Sequence, residues 1–333
     1  MKTIRIGLVG PSRRRQGLGP FIARFAERFG GRVAACVGSS FDSSLRGAGE
    51  LEALLGHEVR PYRAVASMID GESTRGAPLD ALVIASPHAT HEAALLAAAA
   101  AGLHVLCEKP LIWGGEDLVG RAAGIIEAFA RAGRVLQVNA QWPFTLPAYF
   151  RLFPALKGVR MDRFHCRFSP ISTGAAQIPD ALPHPLSLLQ ALSPIGAEQV
   201  RDLRIEILKD GSGSQNFAFT WPGEAGPVSC TVQLEVHENP PRPAEYGIQG
   251  HTARRVIRLP EYALSFQGEI AQVRASGGPD NGEVDIEDPL GNLVRSFLSL
   301  ARNGGHGKPD DVLLQRIRLL KQIHDAYQKL SQP

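Results

Sequence analysis

Glu108-Lys109-Pro110 follows the apolar run His104 to Cys107 and is the place where residue type and position point most directly to chemistry. Lysine is scarce in this chain and arginine is its usual cation. An amine can lose or donate a proton whereas a guanidinium stays charged, which makes Lys109 the first candidate for acid-base work. A second constellation lies in Ile178-Pro179-Asp180-Ala181-Leu182-Pro183-His184-Pro185-Leu186-Ser187. If Asp180 opens a helix, Asp180 and His184 are four apart and project from one face. A carboxylate that near can orient an imidazole or stabilise its cation for general acid-base catalysis. The plainer reading makes Asp180 a helix N-cap and His184 a helix-end histidine. Pro183 and Pro185 remove backbone donors and fix φ, so a helix here starts irregularly.

The elements around Lys109 form a recognisable order. Ala81 to Ala85 is a short apolar run between Asp80 and Pro87, which suits a strand buried on both faces of a parallel sheet. The loop Ser86-Pro87-His88-Ala89-Thr90-His91 leads into an alanine-rich helix, His91 to Ala101, which Gly102 ends. The strand His104 to Cys107 completes a βαβ pattern and leaves Lys109 at a strand's carboxyl end, where open α/β sheets bind ligands.

The run from Asp80 to Leu111 resembles the glucose-fructose oxidoreductase, inositol dehydrogenase and rhizopine-catabolism family, GFO/IDH/MocA. The resemblance implies that Ser86 and Pro87 border a nicotinamide ring and that Lys109, beside Glu108, faces the substrate. It places His88 and His91 on the nicotinamide side of the pocket, although His91 also suits a simple helix start. Asp180 and His184 resemble that family's D-x-x-x-H element, whose histidine brackets the reacting carbon together with the Glu-Lys-Pro lysine. Ser187 stands where many members carry an acid. Many members also have an arginine near Gln141, and its absence argues against a strongly anionic substrate at that spot. Trp142 offers a flat apolar wall for a polyol or ring, or a core aromatic with no function.

The amino end fits the same expectation. Ile4 to Gly10 reads as a first strand, and Phe21 to Phe29 has helical apolar spacing. Between them Gly10-Pro11-Ser12-Arg13-Arg14-Arg15-Gln16-Gly17-Leu18-Gly19 is a glycine-rich turn of the kind that brings backbone amides to a pyrophosphate. Gly10, Ser12, Arg13, Gly17 and Leu18 are its candidate cofactor contacts, with Ser12 where a second glycine is expected. At the end of the next strand, Val33 to Val37, the acid that normally binds the ribose is missing. Gly38, Ser39 and Ser40 take its place, and Asp42 comes late. No carboxylate repels a 2′-phosphate there and arginines are near, so the cofactor reads as NADP or NAD with a lean to NADP.

A chain of 333 residues suits two domains. The boundary falls where the strand Val135 to Val138 closes the first: residues 1–140 form a Rossmann domain, a doubly wound parallel sheet. Residues 141–333 form an α+β domain with a largely antiparallel sheet, from strand-like stretches at 159–168, 203–208, 216–221, 228–236 and 253–259. Turns at Asp210-Gly211-Ser212-Gly213 and Pro222-Gly223-Glu224 separate some of them. The resemblance implies that this sheet's open face builds a homo-oligomer. A net charge of +3 with dispersed arginines excludes a nucleic-acid footprint. The dispersed cysteines Cys36, Cys107, Cys166 and Cys230 read as reduced, buried thiols and not as a metal site. No segment is long enough for a membrane span, and Met1-Lys2-Thr3 leads straight into a strand, so a cytoplasmic location is expected.

The resulting expectation is an NAD(P)-dependent dehydrogenase or reductase acting on a secondary alcohol or ketone of a sugar, cyclitol or related hydroxylated molecule. Two alternatives stay open: a dinucleotide-binding sensor without turnover, and an NAD-dependent glycosidase of the same fold.

Overall fold

The computed structural model describes residues 2–12, 17–208, 212–237, 242–304 and 310–330. It divides into two compact units. The first comprises Met1–Asn139 and Leu290–Leu314, and the second Ala140–Pro289 and Gln315–Pro333. The chain therefore crosses back: a boundary at residue 140 leaves the segment from Leu290 out of the first unit.

The first unit alternates strands and helices: β1 (Ile4–Val9), α1 (Gly19–Arg28), β2 (Gly31–Val37), α2 (Phe41–Leu55), β3 (Arg60–Tyr62), α3 (Val65–Thr74), β4 (Ala81–Ile84), α4 (His91–Ala100), β5 (His104–Cys107), α5 (Leu118–Arg131) and β6 (Leu136–Val138). Its strands form a parallel sheet in the order β3-β2-β1-β4-β5-β6. All four residues of β4 and of β5 are buried, as continuous apolar strands covered on both faces require. Burying each such Val, Leu or Ile side chain stabilises the fold by about 1.5–3 kcal/mol. Glu72 of α3 is the fully buried carboxylate of this unit. It accepts hydrogen bonds from Arg60 (2.7 Å), Tyr62 (2.8 Å) and Arg5 (2.9 Å), which ties α3 to β1 and β3. Burial opposes its charge, but these donors hold its pKa below the usual carboxylate value.

The second unit contains α6 (Leu146–Leu152), β7 (Arg163–Phe168), α7 (Gln177–Ala181), α8 (Pro183–Leu192), β8 (Arg201–Ile207), β9 (Gln215–Gly223), β10 (Gly226–Leu234), β11 (Ala244–Ile248), β12 (His251–Arg258), β13 (Ala263–Gln267), α9 (Ile270–Ala275) and β14 (Glu283–Asp285). The eight-stranded sheet has the order β14-β13-β12-β11-β7-β10-β9-β8. Its pairings are antiparallel except that β7 and β10 run parallel. Strand alternation puts Phe164, Cys166 and Phe168 inside with Tyr246, Phe217, Phe219 and Trp221. On the other face Arg167, Glu245 and Arg254 sit directly opposite one another on β7, β11 and β12. Arg167 pairs with Glu235 at 2.7 Å, and Arg254 pairs with Glu245 at 3.0 Å.

Two later helices close the chain, α10 (Pro289–Arg302) and α11 (Asp311–Leu330). Within the first unit, α10 lies on α1. A side chain at Gly291 would come within 2.9 Å of Phe25, and Arg295 lies 4.6 Å over the Phe29 ring. Among the described residues no helix is long and apolar enough to cross a membrane.

Some expected boundaries shift. The strand expected from residue 159 begins at Arg163, where pairing with Ser229 of β10 starts. The turn expected at residues 222–224 moves to Glu224-Ala225, with Pro222 and Gly223 still in β9. Asp210 and Gly211, from the other expected turn, lie outside the described residues.

Candidate active site

In the first unit the candidate residues gather at the carboxyl ends of β1, β4 and β5. The neighbouring strands β1 and β4 lead to helices on opposite sides of the strand order, the switch point at which doubly wound sheets bind dinucleotides. Gly10 ends β1 at φ +86°, and its amide donates to the Val37 carbonyl at 2.8 Å. A Cβ at this position would sit 2.7 Å from the Ala85 carbonyl carbon and the Ser86 nitrogen, so only glycine lets the two loops meet. Gly19 opens α1 where a Cβ would lie 2.3 Å from the Gly10 carbonyl oxygen. Leu18 is the α1 N-cap, and its carbonyl accepts from the Ile22 amide. Helix α1 thus begins two residues earlier than expected, packed tightly on the turn after β1. Pro11 is buried, Ser12 and Gly17 are partly exposed, and Arg13, Arg14 and Arg15 lie outside the described residues. A helix N-terminus packed at Gly19 against the glycine that follows the first strand fits a dinucleotide pyrophosphate.

Ser39 and Ser40 follow β2 and are exposed. Ser40 caps α2, its side chain accepting from the Ser43 amide at 3.2 Å. The Ser39 amide donates to the Ser43 hydroxyl. Arg63 was not anticipated. It directly follows Tyr62, the β3 partner of Val37, and its guanidinium lies 4.4 Å over the ring of Phe41, the first residue of α2. An exposed cation therefore stands beside the end of β2, where the ribose-binding acid is missing.

The loop after β4 is stitched internally. The Ser86 and Thr90 hydroxyls are 2.7 Å apart, and Thr90 donates to the Pro87 carbonyl at 2.9 Å. His88 is exposed on a 3-10 turn, whereas His91 is fully buried at the start of α4. The His91 Nε2 lies 2.8 Å from the Ser86 carbonyl, and its Nδ1 lies 3.0 Å from that of Pro110. The Cys107 thiol is 3.4 Å from Nδ1 and stays protonated, because burial pushes its pKa well above the usual thiol value. Either neutral tautomer of His91 leaves one nitrogen lone pair facing a carbonyl oxygen. Burial nevertheless dominates and pulls its pKa below the ordinary imidazole value. The imidazole is thus turned inward, joining the loop after β4 to the turn after β5.

That turn is held from both sides. The Glu108 amide donates to the Ile84 carbonyl at 2.8 Å, and its carboxylate accepts from the buried Asn139 amide group at 2.7 Å. The Lys109-Pro110 peptide is cis, and Lys109 is partly exposed.

In the second unit, Asp180 does not open a helix. It is the fourth residue of α7, which starts at Gln177, and Leu182 keeps helical dihedrals before α8 starts at Pro183. Pro183 and Pro185 cannot donate to the carbonyls one turn back, which breaks one helix into two. The Asp180 carboxylate accepts from the Ser172 hydroxyl at 2.7 Å, and the Ser187 hydroxyl donates to the His184 carbonyl at 2.7 Å. His184 is partly exposed, with its ring 6.4 Å from Trp142 and 6.1 Å from Phe168. Trp142 and Phe168 pack at 4.6 Å, and Arg255 of β12 lies 5.3 Å over the Trp142 ring. The histidine thus emerges from an aromatic wall that also carries a cation.

Residues 4–140 match the model of the GFO/IDH/MocA family, an oxidoreductase family with an NAD-binding Rossmann fold. An inositol 2-dehydrogenase of Streptomyces avermitilis is 40% identical over 148 residues, which span 43% of this chain and 39% of that protein. The chain thus matches well under half of that relative's length. UDP-N-acetylglucosamine 3-dehydrogenase GnnA from Acidithiobacillus ferrooxidans aligns over 100% of both chains with a TM-score of 0.70 at 17% identity. An inositol dehydrogenase homologue from Azotobacter vinelandii, complexed with NADH and myo-inositol, aligns over 98% of this chain and 96% of that one. Its TM-score is 0.68 at 17% identity, and at such identities the likeness speaks for the fold. Over residues 4–140, with their Rossmann strand order, the chain is thus similar to the GFO/IDH/MocA oxidoreductase family.

Proposed function

We propose that this chain is an NAD(P)-dependent dehydrogenase that oxidises a secondary alcohol of a sugar, cyclitol or related polyol, or reduces the matching ketone. The observation that carries the reading is the Glu108-Lys109-Pro110 turn directly after β5, tied through His91 to the Ser86-Pro87 loop after β4. A bound nicotinamide supplies the hydride chemistry. Lys109 orients the substrate hydroxyl and, with His184, carries its proton. Asp180 supports His184, and Trp142 with Phe168 forms an apolar wall for the carbon skeleton. Gly10, Ser12, Gly17, Leu18, Ser86, Pro87 and His88 line the dinucleotide; His91 contributes by holding the loop. The inositol and amino-sugar dehydrogenases among its relatives favour a polyhydroxylated substrate.

The cofactor is NADP in preference to NAD. Support comes from Ser39 and Ser40 in place of an acid and from Arg63 beside the Phe41 ring. The chain works in the cytoplasm, in keeping with four buried free cysteines. It pairs with copies of itself through the outer sheet face that carries Arg167, Glu245 and Arg254.

The test is a nicotinamide-absorbance screen of the purified protein with both cofactors against polyols, cyclitols, sugars and their ketones. Turnover of at least one member is expected. Tight cofactor binding with no turnover in either direction would transfer the protein to the sensor class.

A further inference from the structure

Adjacent arginines on β12 have opposite fates. Arg254 points to the outer face and pairs with the Glu245 carboxylate at 3.0 Å. Strand alternation turns Arg255 to the inner face, among Ala253, Tyr246 and Phe266, all fully buried. Its guanidinium rests on the Trp142 indole at 5.3 Å. Among the described residues it has no hydrogen bond or ion pair, and the Asp288 carboxylate reaches it only through space. Burial pulls its pKa downward. A guanidinium carries five N–H donors, and leaving them unmatched in a desolvated place is costly. Arg255 nevertheless keeps part of its surface accessible, so a ligand can reach it.

We propose that Arg255 is a specificity-determining residue that recognises a carboxylate, so that the preferred substrate is a polyhydroxy acid such as a uronate or aldonate. This rests on the dehydrogenase reading above. The indole under Arg255 is also the ring against which His184 packs, at 6.4 Å between centroids. The acid group of the substrate then sits one indole away from the proton-transfer end. A single planar fork matches a carboxylate bidentately and balances its one charge; the same fork also fits a phosphate in shape, which makes a sugar phosphate the necessary comparison. The missing arginine near Gln141 had argued against an anionic substrate. A distant strand supplies that cation instead, at the neighbouring Trp142.

The experiment is calorimetric titration of the NADPH-loaded protein with galacturonate, glucuronate and gluconate, each beside its neutral parent sugar, and with glucose 6-phosphate. Turnover of the same panel is measured in parallel. At least one acid is expected to bind about tenfold or more tightly than its parent, the worth of one charge-assisted hydrogen-bonded pair. Arg255→Met should collapse that ratio and Arg255→Lys should restore part of it. The proposal is overturned if no acid outbinds its parent, if Arg255→Met keeps the preference, or if the phosphate outbinds every carboxylate. Should Arg255→Met fail to fold, the wild-type ratio and Arg255→Lys decide the matter. Acid-selective binding without turnover leaves the Arg255 assignment standing and sinks the dehydrogenase reading, whereas equal turnover of acids and neutral sugars does the reverse.

Discussion

His91 Nε2 stands 2.8 Å from the Ser86 carbonyl oxygen, and this contact makes a buried side chain the pin of the loop between β4 and α4. His91→Phe keeps the bulk and strands the Ser86 and Pro110 carbonyls, so it should destabilise the protein by about 1–3 kcal/mol. Urea denaturation checks this, and an unchanged midpoint would remove His91 from the account. The wild type adds a pH signature. The folded pKa of His91 is depressed below its ordinary value of 6.5, so the unfolded chain binds the extra proton first. The stability His91 confers is complete above that value and declines as pH falls below it. The Phe variant should show a shallower decline, measured by denaturation at successive pH values.

Lys109→Ala should leave cofactor affinity within a few-fold and lower kcat by about 10² to 10⁴, the usual worth of a positioned acid-base group. Steady-state kinetics on whichever polyol the screen identifies gives the answer. Near-normal turnover would place the proton transfer elsewhere.

His184→Asn preserves size and some hydrogen bonding at a partly exposed position. The variant should fold with wild-type melting behaviour, bind cofactor normally and lose about 10² to 10⁴ in rate, equivalent to roughly 3 to 5 kcal/mol of transition-state stabilisation. A variant that unfolds would identify His184 as a structural part of the Trp142 and Phe168 cluster.

NADPH should bind more tightly than NADH, and Arg63→Ala should erase most of the difference by weakening NADPH alone. Titration of both proteins with both cofactors measures it. Equal affinities in the wild type would end the NADP preference and leave the fold untouched.

The Rossmann half was legible where buried parallel strands appear as unbroken apolar runs, as in Ala81–Ile84 and His104–Cys107, with Gly102 marking the helix end between them. Helix α2 was not, because Gly47 and Gly49 interrupt it; Gly47 is required where Pro11 approaches, a contact invisible in sequence. Strand β3 is three residues long and holds a proline. In the second half β11 was hidden by Glu245 and Gly247, although its partners bury Tyr246 completely. Lys109 could be placed because it lies two residues past the end of a strong strand. Arg63 and Arg255 could not, since the meaning of each depends on which ring it covers, and both rings come from distant parts of the chain.

The return of Leu290–Leu314 to the first unit constrains how the protein is made. A nascent chain that has just emerged through Asn139 holds every strand of the parallel sheet but lacks the helix that covers Phe25 and Phe29. At bacterial to eukaryotic synthesis speeds, roughly 8 to 30 s pass before Leu290 appears. During that interval the Rossmann half carries an uncovered aromatic stripe, so its completion awaits translation through α10.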